Sequence, residues 1–222
     1  MIEDLPMTNA ALLARDPDLR AAVTVAVARA LEAPADWPES FDVLLRTSFT
    51  PFDAALRDPA DALADAVAPA TASPEAALET TVRHTRIFIG PPHALVTPVA
   101  SEWRPLDPLA PTALLEECGA AYAEAGLDLS TAVMPVDHVV VQFEFLHYLA
   151  WTEAAAEDAA SAELWKLRQS RFWARHMAPW LPEMSKELVD ATKGDPVYAH
   201  SAALLAAMTR ALDPALQESL PA

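Results

Sequence analysis

Glycine is scarce in this chain: 4 residues in 222, scattered at positions 90, 119, 126 and 194. Phosphate-cradling loops and dinucleotide folds need clustered glycine, because there the backbone itself must approach the ligand. No GxGxxG and no GxxxxGK occurs, which excludes nucleotide-binding enzymes of those two types. Cysteine is scarcer still. Cys118 stands alone, so no intramolecular disulfide forms and a thiolate zinc site lacks its ligands. Positive charge is also short. The 15 Lys and Arg face 32 Asp and Glu, a formal charge of −17. Such a surface repels nucleic-acid phosphates and anionic lipid, and no basic recognition helix stands out, so neither partner is expected. It would attract a basic partner, although solubility alone accounts for the acidity. No uncharged apolar run approaches the roughly 20 residues that cross a bilayer. The best candidates are broken by Arg29 and Glu144. The opening MIEDLPMTNA is acidic and lacks the basic head and apolar core of a secretory signal, so a cytoplasmic location is expected.

What the chain has instead is proline, 20 residues of it, and a general enrichment in alanine. The prolines follow a pattern. Asp16-Pro17, Asp58-Pro59, Ser73-Pro74, Asp107-Pro108, Asp195-Pro196 and Asp213-Pro214 each place a capping side chain directly before Pro. The side-chain oxygen accepts an orphan N–H, and Pro at the first helical position gives up no hydrogen bond. Between these signals, apolar residues recur at helical spacing. Leu19, Val23, Val27 and Leu31 do so in one segment; Leu78, Val82 and Ile89 mark another over 74–89. Further helices are read at 39–48, 59–68, 112–125, 136–158, 161–178, 181–193 and 196–212. Alanine supports them all. The expected fold is all-α, a bundle of about eight or nine helices. Residues 90–111 refuse a helix, with Pro at 91, 92, 98, 105, 108 and 111. This proline-rich loop joins an N-terminal half, residues 1–110, to a C-terminal half, 111–222, within one domain. A loop of that length is usually functional or a linker, and it would permit either a monomer or a dimer with swapped halves.

The stretch Met134 to Trp151, MPVDHVVVQFEFLHYLAW, concentrates polar groups in an apolar run. Glu144 and His147 form an E-x-x-H pair. Di-iron bundles use two such pairs and two more glutamates, and no second pair occurs here, so a metal-dependent oxidase or hydroxylase built on Glu144 and His147 is the weaker alternative. The histidines at 84, 93, 138, 147, 176 and 200 have no zinc-site spacing. Asp137 and His138 are adjacent and point about 100° apart on a helix, too far round to orient each other as an acid–base dyad. Ser101 has no nucleophile elbow around it. Asp137 is expected in the first turn of the 136–158 helix, where a carboxylate stabilises the dipole by roughly 0.3–1 kcal/mol. His138 reads as a buried, hydrogen-bonded imidazole. Most of the six tryptophans read as core. Trp103, in the proline-rich loop, is the one expected to be partly exposed, either as a platform for a peptide or as a pin holding the loop to the core.

These residues resemble a known family. Pro135-x-Asp137-His138 followed by Glu144-Phe145-Leu146-x-x-Leu149 is similar to the signature helix of the TorD/DmsD/NarJ-type chaperones. Arg86-Ile-Phe88-Ile-Gly90-Pro91 with Pro98-x-x-Ser101-x-Trp103 resembles that family's loop. Phe172-x-x-x-His176-Met-x-Pro179-Trp180 and then Val197-Tyr198 resemble its late segment. The likeness runs over roughly residues 75–210. Gln142 departs from the usual Glu, and Trp103 from the usual Tyr. The resemblance implies a cytoplasmic chaperone with no catalysis and no cofactor of its own. It would bind the apo form of a molybdopterin oxidoreductase subunit and its twin-arginine leader until the molybdenum cofactor is inserted. It also implies a binding groove in which Asp137 meets an arginine with His138 beside it, and Gly90, Pro91, Ser101 and Trp103 shape the wall.

Overall fold

The computed structural model describes residues 7–90, 93–103, 110–128 and 133–217, with the backbone alone at 110 and 111. Ten α-helices and no named strand occur among them: α1 (Asn9–Arg15), α2 (Pro17–Ala30), α3 (Phe41–Phe49), α4 (Ala54–Ala70), α5 (Pro74–Phe88), α6 (Ala110–Glu124), α7 (Val139–Ala154), α8 (Ala159–Phe172), α9 (Leu181–Ala191) and α10 (Tyr198–Gln217). The all-α expectation holds, with ten helices where eight or nine were expected. The addition is α1, whose 7 residues are too few to display a period; it is started by Thr8, whose side chain accepts from Ala11 N–H. None of these helices is long and apolar enough to cross a membrane.

Three of the capping signals hold backbone N–H groups, two of them as the caps of their helices. Asp16 accepts from Leu19 N–H and Ser73 from Ala76 N–H, each with Pro at the start of its helix. Asp195 Oδ1 accepts from Val197 and Tyr198 N–H at 2.9 and 2.7 Å. Two others read wrongly. Pro59 and Pro214 lie inside α4 and α10. The cap of α4 is Asp53, upstream, which accepts from Ala55 N–H. An interior proline costs about 3 kcal/mol. Here it is outweighed by the buried face of Leu56, Ala60, Leu63, Ala64 and Val67, packed on α3 and α10. Asp213 is not a cap; it accepts the indole N–H of buried Trp173 at 3.0 Å. Asp107-Pro108 lies outside the described residues.

α7 is the axis. Its buried residues Val139, Val140, Phe143, Phe145, Leu146, Leu149 and Ala150 point all round it, as befits a helix enclosed by others. Its most extensive neighbour is α2, whose alanines allow close approach, and α8 packs on another side. α10 gathers α1, α4 and α9. Helices before the proline-rich loop therefore pack directly on helices after it. After α8, a single π-helical turn, Trp173–Met177, sets both Trp173 and Trp180 wholly inside and turns His176 inward.

At the far end of α7 is a buried polar knot. The Arg20 guanidinium on α2 donates to the Leu13 carbonyl on α1, to Glu153 on α7 and, at 2.7 Å, to Gln169 Oε1 on α8. Gln169 also donates to Glu153 at 2.6 Å. Removing one member of a buried ion pair leaves the other charged and unsolvated, at a cost of about 3–5 kcal/mol. Glu153→Ala should lose that much in a denaturant titration. Glu79→Ala, in the exposed Arg83–Glu79 pair, should lose less than about 1 kcal/mol.

Candidate functional site

The site is the end of α5 at Gly90 and the segment 93–103, whose residues 98–101 lie against the start of α7. At the end of α5 the Thr85 carbonyl accepts from both Ile89 and Gly90 N–H, at 2.9 and 2.6 Å. A Cβ at position 90 would sit 2.6 Å from the His93 carbonyl oxygen, so the chain reverses here only with glycine. Val96 N–H then returns to the Ile87 carbonyl at 3.0 Å. The next residues are sewn onto α7. The Pro98 carbonyl accepts from Val139 N–H at 2.8 Å, satisfying an orphan donor of the first turn. Ala100 N–H donates to the Asp137 carbonyl at 3.1 Å, and Val99 and His138 form an isolated antiparallel bridge. The Asp137 carboxylate accepts Ser101 N–H at 2.8 Å.

Of the six residues expected at the site, these bonds join Ser101, Asp137 and His138, with Trp103 on the same loop, while Gly90 lies at the end of α5. Pro91 lies outside the described residues. One expectation about them changes, and one is narrowed. Asp137 is not in the first turn of α7. It precedes the helix, is 1% exposed, and uses its carboxylate to hold the loop. The N-cap is His138, whose Nδ1 accepts from Val140 N–H at 3.2 Å. Trp103 is half-buried against the core, and its indole N–H donates to the Thr97 carbonyl at 2.7 Å, so it pins the loop. The exposed tryptophan is Trp151, at 57%.

His138 lies near a second imidazole, His84 of α5. The His84 Nε2–H donates to the Leu31 carbonyl at 3.2 Å, and its ring packs on Phe88 and Tyr198. Burial pushes the His138 pKa down to about 4; Asp137 pulls against this and His84 adds to it. Burial also lowers the pKa of His84. Beyond them, Arg29 bridges Glu32 and Glu144, both at 2.6 Å. Burial raises the pKa of Glu32, whose second carboxylate oxygen has no hydrogen-bond partner. Glu144 is therefore engaged with Arg29, while His147 Nδ1–H donates to the Ala21 carbonyl at 2.9 Å. The E-x-x-H pair points to two different partners, and among the described residues no group of three His, Cys, Asp or Glu side chains is placed to hold a metal.

Sequence reasoning missed the outer face of α5. Leu78, Val82 and Ile89, the periodic residues that read as its core stripe, are 64%, 59% and 65% exposed. The helix is buried through Thr80, His84, Ile87 and Phe88 instead. The competing stripe was present, at spacings of four, seven and eight, but two of its members are polar. Leu95 is a further exposed apolar residue, at 43%.

A family model described as "Nitrate reductase delta subunit" matches residues 49–186, more than half of the chain and all of this site. The "Selenate reductase assembly chaperone protein" of Thauera selenatis is 37% identical over 86 residues, 38% of this chain and 43% of that protein. The chain thus matches less than half the length of that curated relative. No solved structure matches significantly. The chain belongs to the nitrate reductase delta subunit family.

Two outcomes follow from the geometry. Asp137→Ala strands Ser101 N–H and should cost roughly 1.5–3 kcal/mol by chemical denaturation, the range for hydrogen bonds to charged groups. A folded-state histidine pKa below the unfolded value means that the unfolded chain binds the extra proton, so stability is full above pH 6.5 and falls as pH drops towards 4. Protonation at Nδ1 would also remove the cap. His138→Asn keeps a capping oxygen without the titration, and should flatten the fall in Tm between pH 6.5 and 4.5.

Proposed function

We propose that this member of the nitrate reductase delta subunit family is an assembly chaperone for a redox enzyme, not a catalyst. Its client is the apo form of a molybdopterin oxidoreductase subunit, bound through a twin-arginine leader in the cytoplasm and held until the molybdenum cofactor is inserted. Family membership and the name of the Thauera selenatis relative support the coarser part of this reading. The observation that carries the finer part is the uncovered apolar stripe of α5, Leu78, Val82 and Ile89 with Leu95, ending at the sewn loop. A leader combines a basic head with an apolar middle. The stripe takes the apolar middle, as an apolar groove takes a peptide face. The basic head is drawn by a chain carrying −17 and meets the exposed carboxylate of Glu102, with Asp137 and His138 holding the wall behind Ser101. Gly90 and Trp103 fix the wall's course, and the family likeness adds Pro91, which lies outside the described residues.

The test is a calorimetric titration with leader peptides of molybdoenzymes and twin-lysine controls, at low and moderate salt. Binding should prefer arginine, which forms bidentate contacts lysine does not, and should weaken with salt. The double change Leu78→Asp and Val82→Asp, both at exposed positions, should weaken it by about tenfold or more while leaving Tm within a degree or two, since surface changes are nearly neutral to stability. Equal binding by that variant would remove α5 from the site. No binding of any leader would leave a chaperone whose client is not exported.

A further inference from the structure

A second surface lies elsewhere, on residues the leader site does not use. α6 and α8 form two walls over α7 and leave an open groove of about 400 Å³. Its floor is apolar: Ala120 and Ala121 from α6, Phe145 from α7, Leu167 and Phe172 from α8. Phe145 and Phe172 meet edge to face at 4.7 Å beneath it. The two walls carry opposite charge. Arg168, Arg171 and Arg175 line the α8 side, and Glu117 and Glu124 the α6 side. Arg168 and Arg171 are three residues apart on α8 and Glu117 and Glu124 seven apart on α6, so each pair lies along one face of its helix, and Arg175 follows in the π-helical turn.

This placement runs against the bulk charge. A chain with 15 basic residues against 32 acidic ones sets three arginines along a single wall. Arg168 lies over the Trp165 ring at 4.3 Å, which holds its guanidinium along the wall. Arg175 meets Glu117 through two bonds of 3.1 and 2.8 Å and ties the walls together. Arg171 is exposed and has no ion pair among the described residues. A wholly basic ligand would be repelled by the α8 wall, and a wholly acidic one by the α6 wall and the net charge. The span from Leu164 to Arg175 is three helical turns, about 16 Å. The small side chains of Ala120 and Ala121 leave room for another helix to approach.

We propose that this groove is a docking surface for an amphipathic α-helix of a partner protein, with an apolar face edged by acidic residues on one side and basic residues on the other. The acidic edge lies along α8 and the basic edge along α6. Because reversing the helix exchanges its edges, the two walls also fix the direction in which it lies. The surface shares no residue with the leader site, and its occupant is read from groove chemistry alone.

The experiment uses the full chain and three end-capped 18-residue helical peptides with the same leucine face. One carries Glu along one edge and Lys along the other, one carries Glu on both edges, and one carries Lys on both. The mixed peptide should bind about tenfold tighter than either uniform one. Arg168→Glu with Arg171→Glu should transfer the preference to the two-lysine peptide. Ala120→Trp, an exposed position that fills the groove, should abolish binding of all three. Both variants should keep wild-type Tm and wild-type leader binding, which separates a failure here from a failure of the leader site. Equal affinity for the three peptides, or no binding of any, would overturn the proposal. So would concentration-dependent dimerisation abolished by the arginine changes, which would identify the occupant as a second copy of this chain.

Discussion

The Arg20 guanidinium cannot be left alone. It is 1% exposed, and a buried charge without partners would unfold a domain of ordinary stability. Its partners come from α1, α7 and α8, so satisfying one side chain fixes the relative positions of four helices. α7 is held at its other end by a different device, the backbone hydrogen bonds that join residues 98–101 to residues 137–139. Between an ionic knot at one end and a sewn loop at the other, the central helix has little freedom to slide or rotate.

The loop shows why proline and order are compatible. Prolines remove donors, and an isolated proline-rich stretch would stay extended and solvated. Here Pro98 contributes its carbonyl, not its missing N–H, and that carbonyl completes the first turn of α7. Asp137 then adds a side-chain acceptor for Ser101. Among the described residues 93–103 there is only one short 3₁₀ turn, yet residues 96–103 are held by named bonds, which is what a binding wall requires.

Much of this was legible in the residues. Helix starts at Asp16-Pro17 and Ser73-Pro74 were readable because cap chemistry is local. The approach of Ser101 and Trp103 to Asp137 and His138 was legible only through the family likeness, since it depends on bonds between segments some 35 residues apart. Pro59 misled because its helix is stabilised by packing on α3 and α10, which no local rule registers. Leu78 and Val82 misled for the opposite reason. Periodicity reveals that a helix has an apolar stripe, but not whether the stripe faces the core or remains uncovered. The Arg20 knot had no signal, because an arginine amid alanines on a helix usually reads as solvated.

The pairing of α2 with α7 also has a temporal side. On the ribosome, α2 is complete about 110 residues before α7 begins to appear, which at roughly 5–20 residues per second is about 5–20 s. During that interval Val23 and Val27 have no α7 to cover them, and Arg20 has no Glu153. The most extensive helix pair in the core thus closes only after about two-thirds of the chain has been made, and a protein proposed to shield unfinished chains spends most of its own synthesis as one.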